Sequence, residues 1–142
     1  MTTKLSLTKR FKELPAPLQI YVFLVAAQIF MYLFESLGQL ASRETHDTAA
    51  SVLVLCVLMG LITLGIVFKS SISRTLALVG AWAMIVFGGV MNVSVLLLSF
   101  DKTLPAYAWV NFWEMTGGII LAVLSLYLLL NRKTRAFFRN GE

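Results

Sequence analysis

Residues 49–68 read AASVLVLCVLMGLITLGIVF, twenty consecutive residues without a charge or a proline. At 1.5 Å per residue a helix over this run is about 30 Å long, the thickness of a bilayer's hydrocarbon core. A barrel strand needs only about 9–11 residues and alternates in polarity, so the run reads as a spanning helix. Three more segments qualify on the same grounds: residues 18–41, 75–98 and 106–130.

Composition agrees. Of 142 residues 58% are hydrophobic and 13% charged, and the mean hydropathy is +0.82. A soluble domain is about 45–50% apolar and about 25% charged. A soluble globular domain and a disordered chain are therefore excluded. The single cysteine, Cys56, cannot form an internal disulfide and sits mid-run, where it reads as a small hydrophobe. The first span is longer than a signal-peptide core, and Glu35-Ser36-Leu37-Gly38 offers no small-x-small cleavage site, so it is expected to remain in the chain.

Connections of six or seven residues separate the spans. Short connections make consecutive helices antiparallel neighbours. The expected fold is an all-α integral membrane protein, a single membrane domain forming an antiparallel four-helix bundle. Basic residues orient it: Lys4, Lys9, Arg10 and Lys12 precede the first span, Lys69 and Arg74 lie between the second and third, and Arg132, Lys133, Arg135 and Arg139 follow the fourth. These are ten of the twelve basic residues, and only Arg43 and Lys102 fall on the opposite side. The positive-inside rule places both termini in the cytoplasm, which in a bacterial cell means the inner membrane.

Residues 1–17 form a basic tail in which Leu7, Phe11 and Leu14 recur at helical spacing, as in an amphipathic helix lying on the inner leaflet. Residues 131–142 form a second basic tail, with Phe137 and Phe138 among its arginines. With a formal charge of +5 beside apolar spans, the expected partner is the anionic inner leaflet rather than nucleic acid. Tyr107, Trp109 and Trp113 read as outer interface anchors, Tyr21 and Tyr127 as inner ones.

Two carboxyls, Glu35 and Glu114, fall within the spans. Each lies about 24–26 Å along its helix from the cytoplasmic boundary, so they share a level in the outer third of the bilayer. Asn92 reaches a similar height. Gln28, Tyr32, Glu35 and Gln39 form one stripe of the first helix, and Asn111, Glu114, Gly118, Ala122 and Ser125 one stripe of the fourth. Intramembrane carboxyls are expected to face the interior and find partners. The expected site is thus a polar cluster of Glu35, Glu114, Asn92, Asn111, Gln39 and Gln28 in the outer half, over a dry inner half. Such a cluster serves as interhelical glue, as a pocket for a cation, proton or polar ligand, or as a face meeting another subunit.

No phosphate loop, dinucleotide fingerprint or nucleophile elbow occurs. The lone histidine, His46, excludes a bis-histidine haem and reads as a loop residue, so no cofactor or metal is expected. In size, helix count and basic charge the chain is similar to immunity proteins against pore-forming bacteriocins, a likeness of topology that covers no motif. Small multidrug exporters also carry a glutamate in their first helix, but theirs lies deeper, and the flank Tyr32-Leu33-Phe34-Glu35 does not match. The expected function is non-enzymatic: binding another membrane component, as an accessory subunit or immunity-type protein. The alternative is a small oligomeric transporter or channel for a cation, proton or polar solute using Glu35 and Glu114. A third reading has the same residues acting on a lipid or quinone.

Overall fold

A computed structural model describes residues 7–41, 46–101 and 103–139; of residues 35, 38–41, 46–49 and 101 it describes the backbone alone. The described chain is all helical, with no strand among these residues. Its six helices are α1 (Leu7–Glu13), α2 (Ala16–Ala41), α3 (His46–Val67), α4 (Ser71–Asp101), α5 (Ala106–Leu130) and α6 (Arg132–Arg139). The four long ones carry stretches apolar and long enough to cross a membrane: Ala16–Phe34, Ala50–Val67, Ser71–Phe100 and Ala106–Leu130. They fall where the apolar runs predict them. α3 begins at His46, three residues before the expected start, and α4 extends from Ser71, four residues before the expected start.

α4 packs most closely on α5, and α2 on α3; lighter contacts of α3 with α4 and of α2 with α5 join the two pairs. Large apolar side chains cover the outside: Phe23, Phe30, Phe34, Val86, Phe87 and Leu97 are all exposed. In water such a surface would aggregate; in hydrocarbon it is the ordinary solvent-facing side of a spanning helix.

The tightest packing lies at the end that carries both tails. Leu14, Leu18, Tyr21 and Val25 meet Ile66 and Val67 of α3, Leu128 and Leu129 of α5 and Phe138 of α6 in one buried cluster. Tyr21, expected as an interface anchor, is instead buried in that cluster, 6% exposed, and turned toward the space between the long helices. Tyr127, one residue from the cluster but turned outward, stays exposed.

Helix ends leave backbone groups unpaired, and each junction at this end answers that locally. Between α1 and α2, Gln19 Nε2 donates to the Leu14 carbonyl at 2.9 Å, while Pro15 starts α2 with its carbonyl accepting from Leu18 N and Gln19 N. At the end of α5, Thr134 Oγ1 donates to Leu128 O at 2.8 Å and Arg74 Nη2 to Leu129 O at 3.4 Å. A cation is well placed at a helix C-terminus. Asn131 then leaves the helix with ψ 144°, and its Oδ1 accepts from Lys133 N, starting α6.

The α3–α4 corner is the sharpest turn. Ser70 N donates to Gly65 O at 2.8 Å and Lys69 N to Ile66 O at 3.0 Å, the paired bonds of a Schellman motif. That motif requires a left-handed residue, normally glycine, and here it is Lys69, with φ 61°. Gly65 must be small, since a Cβ there would collide with Ser73 Oγ and Cβ. Ser70 Oγ accepts from Ser73 N at 3.3 Å and opens α4.

A left-handed residue with a Cβ costs about 1–2 kcal/mol, and the stack of Lys69 Nζ 4.6 Å over the Phe137 ring returns part of that. Lys69→Gly is expected to melt no lower than the wild type in detergent, followed by circular dichroism. Lys69→Val should melt lower, by about 1 kcal/mol or more, because a β-branched side chain resists this conformation most. Equal stability of the two variants would show that the corner does not impose this backbone.

Candidate functional site: the intramembrane polar residues

The expected cluster is only partly assembled. Asn92 on α4 is half-buried and its Nδ2 donates to Thr116 Oγ1 of α5 at 2.9 Å. The Thr116 hydroxyl in turn donates to Phe112 O, one turn back, at 2.8 Å. Asn92 Oδ1 is buried and has no partner. Gln28 on α2 is half-buried, and its Nε2 donates to the Tyr32 hydroxyl at 3.3 Å. Glu35 and Gln39 lie on α2, with side chains outside the described part.

Asn111 and Glu114 do not face the interior. Both are exposed, and no described side chain bonds either of them. The seam with α4 at this height runs along the adjacent face of α5. Met115 and Ile119 lie against Gly88, and Thr116 holds Asn92. Lower down, the same α5 stripe does turn inward: Gly118 lies against Met84 Cε of α4, and Ala122 is buried. A stripe regular in sequence thus changes surroundings along its length, because its lower half meets neighbours that its upper half lacks.

Toward the half expected to be dry, the long helices leave an interior space between them. A cavity of about 290 Å³ opens between the four long helices. α2 lines it with Tyr21, Gln28 and Tyr32, α5 with Gly118 and Ser125, and α4 with Gly80 and other small residues. The remaining wall is aliphatic, from Leu55, Leu58 and Ile62 of α3. Small residues normally let helices close on one another. A Cβ on Gly80 would meet nothing within 4 Å, so here they leave room.

Ser125, on the stripe read from the sequence, lines the cavity, whereas Thr116 was not among the residues expected to bond. The available signal was position: Thr116 follows Phe112 by four residues, the spacing at which a threonine hydroxyl bonds back to its own helix and leaves its lone pairs for a neighbour. Cys56 is buried, its Sγ 4.0 Å from Ile29 O, as a small hydrophobe would be. No three His, Cys, Asp or Glu side chains gather around one point among the described residues.

The Asn92–Thr116 contact is expected to be weak individually and specific to the pair. Hydrogen bonds between spanning helices average about 0.6 kcal/mol in double-mutant cycles. A cycle of Asn92→Ala and Thr116→Ala, read by denaturant unfolding in micelles, should give a coupling of about that size, and strict additivity would remove the contact from the α4–α5 interface. The chain matches no family model, no curated protein and no solved structure.

Proposed function

We propose that the chain is a small non-enzymatic protein of the cell's inner membrane, an antiparallel four-helix bundle with both termini cytoplasmic, that acts by binding another membrane component. One observation carries this reading: Glu114 stands exposed on a helix apolar enough to span, with Asn111 exposed three residues before it. A carboxyl at membrane depth is costly and takes a partner. No described side chain bonds it, and on this reading a helix of another membrane component supplies the partner. Trp113 and Tyr107, exposed on the same part of α5, add the aromatic area typical of interface anchors.

An accessory subunit and an immunity-type protein both fit, since each works by occupying a face of a larger membrane protein. The second reading is a small oligomeric transporter or channel. It is favoured by the cavity between the four helices and by the common level of Glu35 and Glu114 along their spans. In that case the exposed Glu114 would meet a second copy of the chain.

Orientation is tested by single cysteines in a Cys56→Ser background. Cysteines at His46 and Asp101 should react with an impermeant thiol reagent from outside intact cells, and cysteines at Ser71 and Thr134 should not. The reverse pattern would invert the topology.

The binding face is tested by Glu114→Leu and Glu114→Gln in the full chain, scored by crosslinking from a photoreactive residue at Val110 in native membranes. Val110 is exposed near the same part of α5. A partner that hydrogen-bonds a protonated acid should tolerate glutamine and lose the leucine variant's crosslink. A partner or solute that needs the charge should lose both. Unchanged crosslinking with leucine would remove Glu114 from the binding face.

A further inference from the structure

At the opposite end from Glu114, the two short helices and the α3–α4 corner gather basic side chains by stacking them on aromatic rings. The Arg10 guanidinium of α1 lies 4.7 Å over the Phe68 ring, and Lys69 Nζ lies 4.6 Å over Phe137 of α6. Arg74 lies 5.4 Å over Phe138. Stacking of this kind holds a cation in place without neutralising it. Glu13 is the one acidic residue described at this end, against Lys9, Arg10, Lys12, Lys69, Arg74, Arg132, Lys133, Arg135 and Arg139.

Between these elements lies a second cavity of about 290 Å³, bounded by Arg10, Glu13, Val67, Lys69 and Phe137. Arg10 Nε is buried and has no hydrogen-bond partner. A buried guanidinium N–H without an acceptor is costly, and a planar fork of such donors matches a phosphate. Lys69 brings its ammonium to the same cavity from a left-handed backbone position that glycine would fill more easily. Strain of that kind persists where the surroundings hold the residue in place.

We propose that this cavity binds the headgroup phosphate of an anionic phospholipid from the inner leaflet, with Arg10 and Lys69 as the phosphate ligands. The surroundings favour a lipid over a free anion. Val67 forms one wall, and Leu61, Leu64 and Phe68, exposed at helical spacing on α3, continue from the corner along the membrane side. A phosphate in the cavity therefore has an apolar track beside it on which acyl chains can lie. Glu13 would repel a bare phosphate, but it accepts from a headgroup hydroxyl, such as those of phosphatidylglycerol. The site is separate from the outer face of α5 and stands or falls independently of it.

The full chain in phosphatidylcholine nanodiscs, titrated with phosphatidylglycerol and read by native mass spectrometry, tests this. Phosphatidylglycerol should be retained as a discrete adduct that added phosphatidylcholine and millimolar inorganic phosphate fail to displace. Arg10→Gln and Lys69→Gln should each weaken retention about tenfold, as for loss of one charge-assisted contact. Lys133→Gln, which removes the same charge from an exposed position outside the cavity, should change it less than twofold. Lys69→Gly should lose retention as Lys69→Gln does while melting no lower than the wild type, which separates binding from folding. Equal losses in Lys133→Gln would reduce the effect to diffuse surface charge and overturn the site. Displacement by inorganic phosphate would overturn the lipid assignment, and full retention in Lys69→Gly would overturn the role of Lys69.

Discussion

Backbone amides and carbonyls cannot remain unpaired in hydrocarbon, and four uninterrupted helices meet that demand everywhere except at their ends. The ends at the basic side are where this chain has most to resolve. There Gln19, Thr134 and Arg74 reach back to the Leu14, Leu128 and Leu129 carbonyls, and Lys69 accepts a left-handed backbone so that the corner can close on Gly65 and Ile66. Those capping groups fix where α1 and α6 lie. The two short helices then cover Leu18, Ile66 and Leu129, each fully buried. Beside water, unlike mid-membrane, such burial draws on the hydrophobic effect, about 1.5–3 kcal/mol per large side chain.

Away from that end the driving force changes. Lipid tails are as apolar as leucine, so helix association rests on close approach and on a few polar contacts. α4 and α5 meet through Ala81, Ala122, Gly88 and the Asn92–Thr116 bond. Between α2 and α3, Cys56 lies against the Ile29 carbonyl. The two pairs touch lightly, which is why a cavity survives between them. Small residues at Gly80 and Ala77 line a space that no larger side chain fills.

The spans were legible because length and apolarity are read directly from residues, and tertiary packing has little power to override a twenty-residue apolar run. Which side of a helix faces inward was harder. The stripe Asn111, Glu114, Gly118, Ala122 and Ser125 is one face by spacing, yet its lower part is enclosed and its upper part exposed. Spacing gives the angle around one helix, but burial also depends on how far the neighbours extend and how closely they approach. Tyr21 shows the same limit from the other direction: its distance from the helix start suggested the interface, yet it lies buried in the cluster with Leu18, Ile66 and Leu129. The cation–ring stacks join residues as far apart as Arg10 and Phe68, and no local pattern announces them.

The two ends of the chain present different chemistry to different surroundings. On the proposed orientation the basic end meets charged headgroups and water, where fixed cations act over a Debye length and would attract anionic lipid. The outer half of α5 meets hydrocarbon, where one exposed carboxyl matters more than several charges do in water, because nothing nearby screens or solvates it. A chain with connections this short has little surface outside the bilayer on which to build a soluble recognition site. On the proposed reading, specificity comes from polar groups displayed within the membrane and at its boundary. Glu114 stands exposed within the membrane setting, and at the basic end Arg10 Nε is buried without a hydrogen-bond partner, as Arg74 Nε and, deeper in the membrane, Asn92 Oδ1 also are; an unmet bonding need at a fixed position is what the proposed partners would recognise.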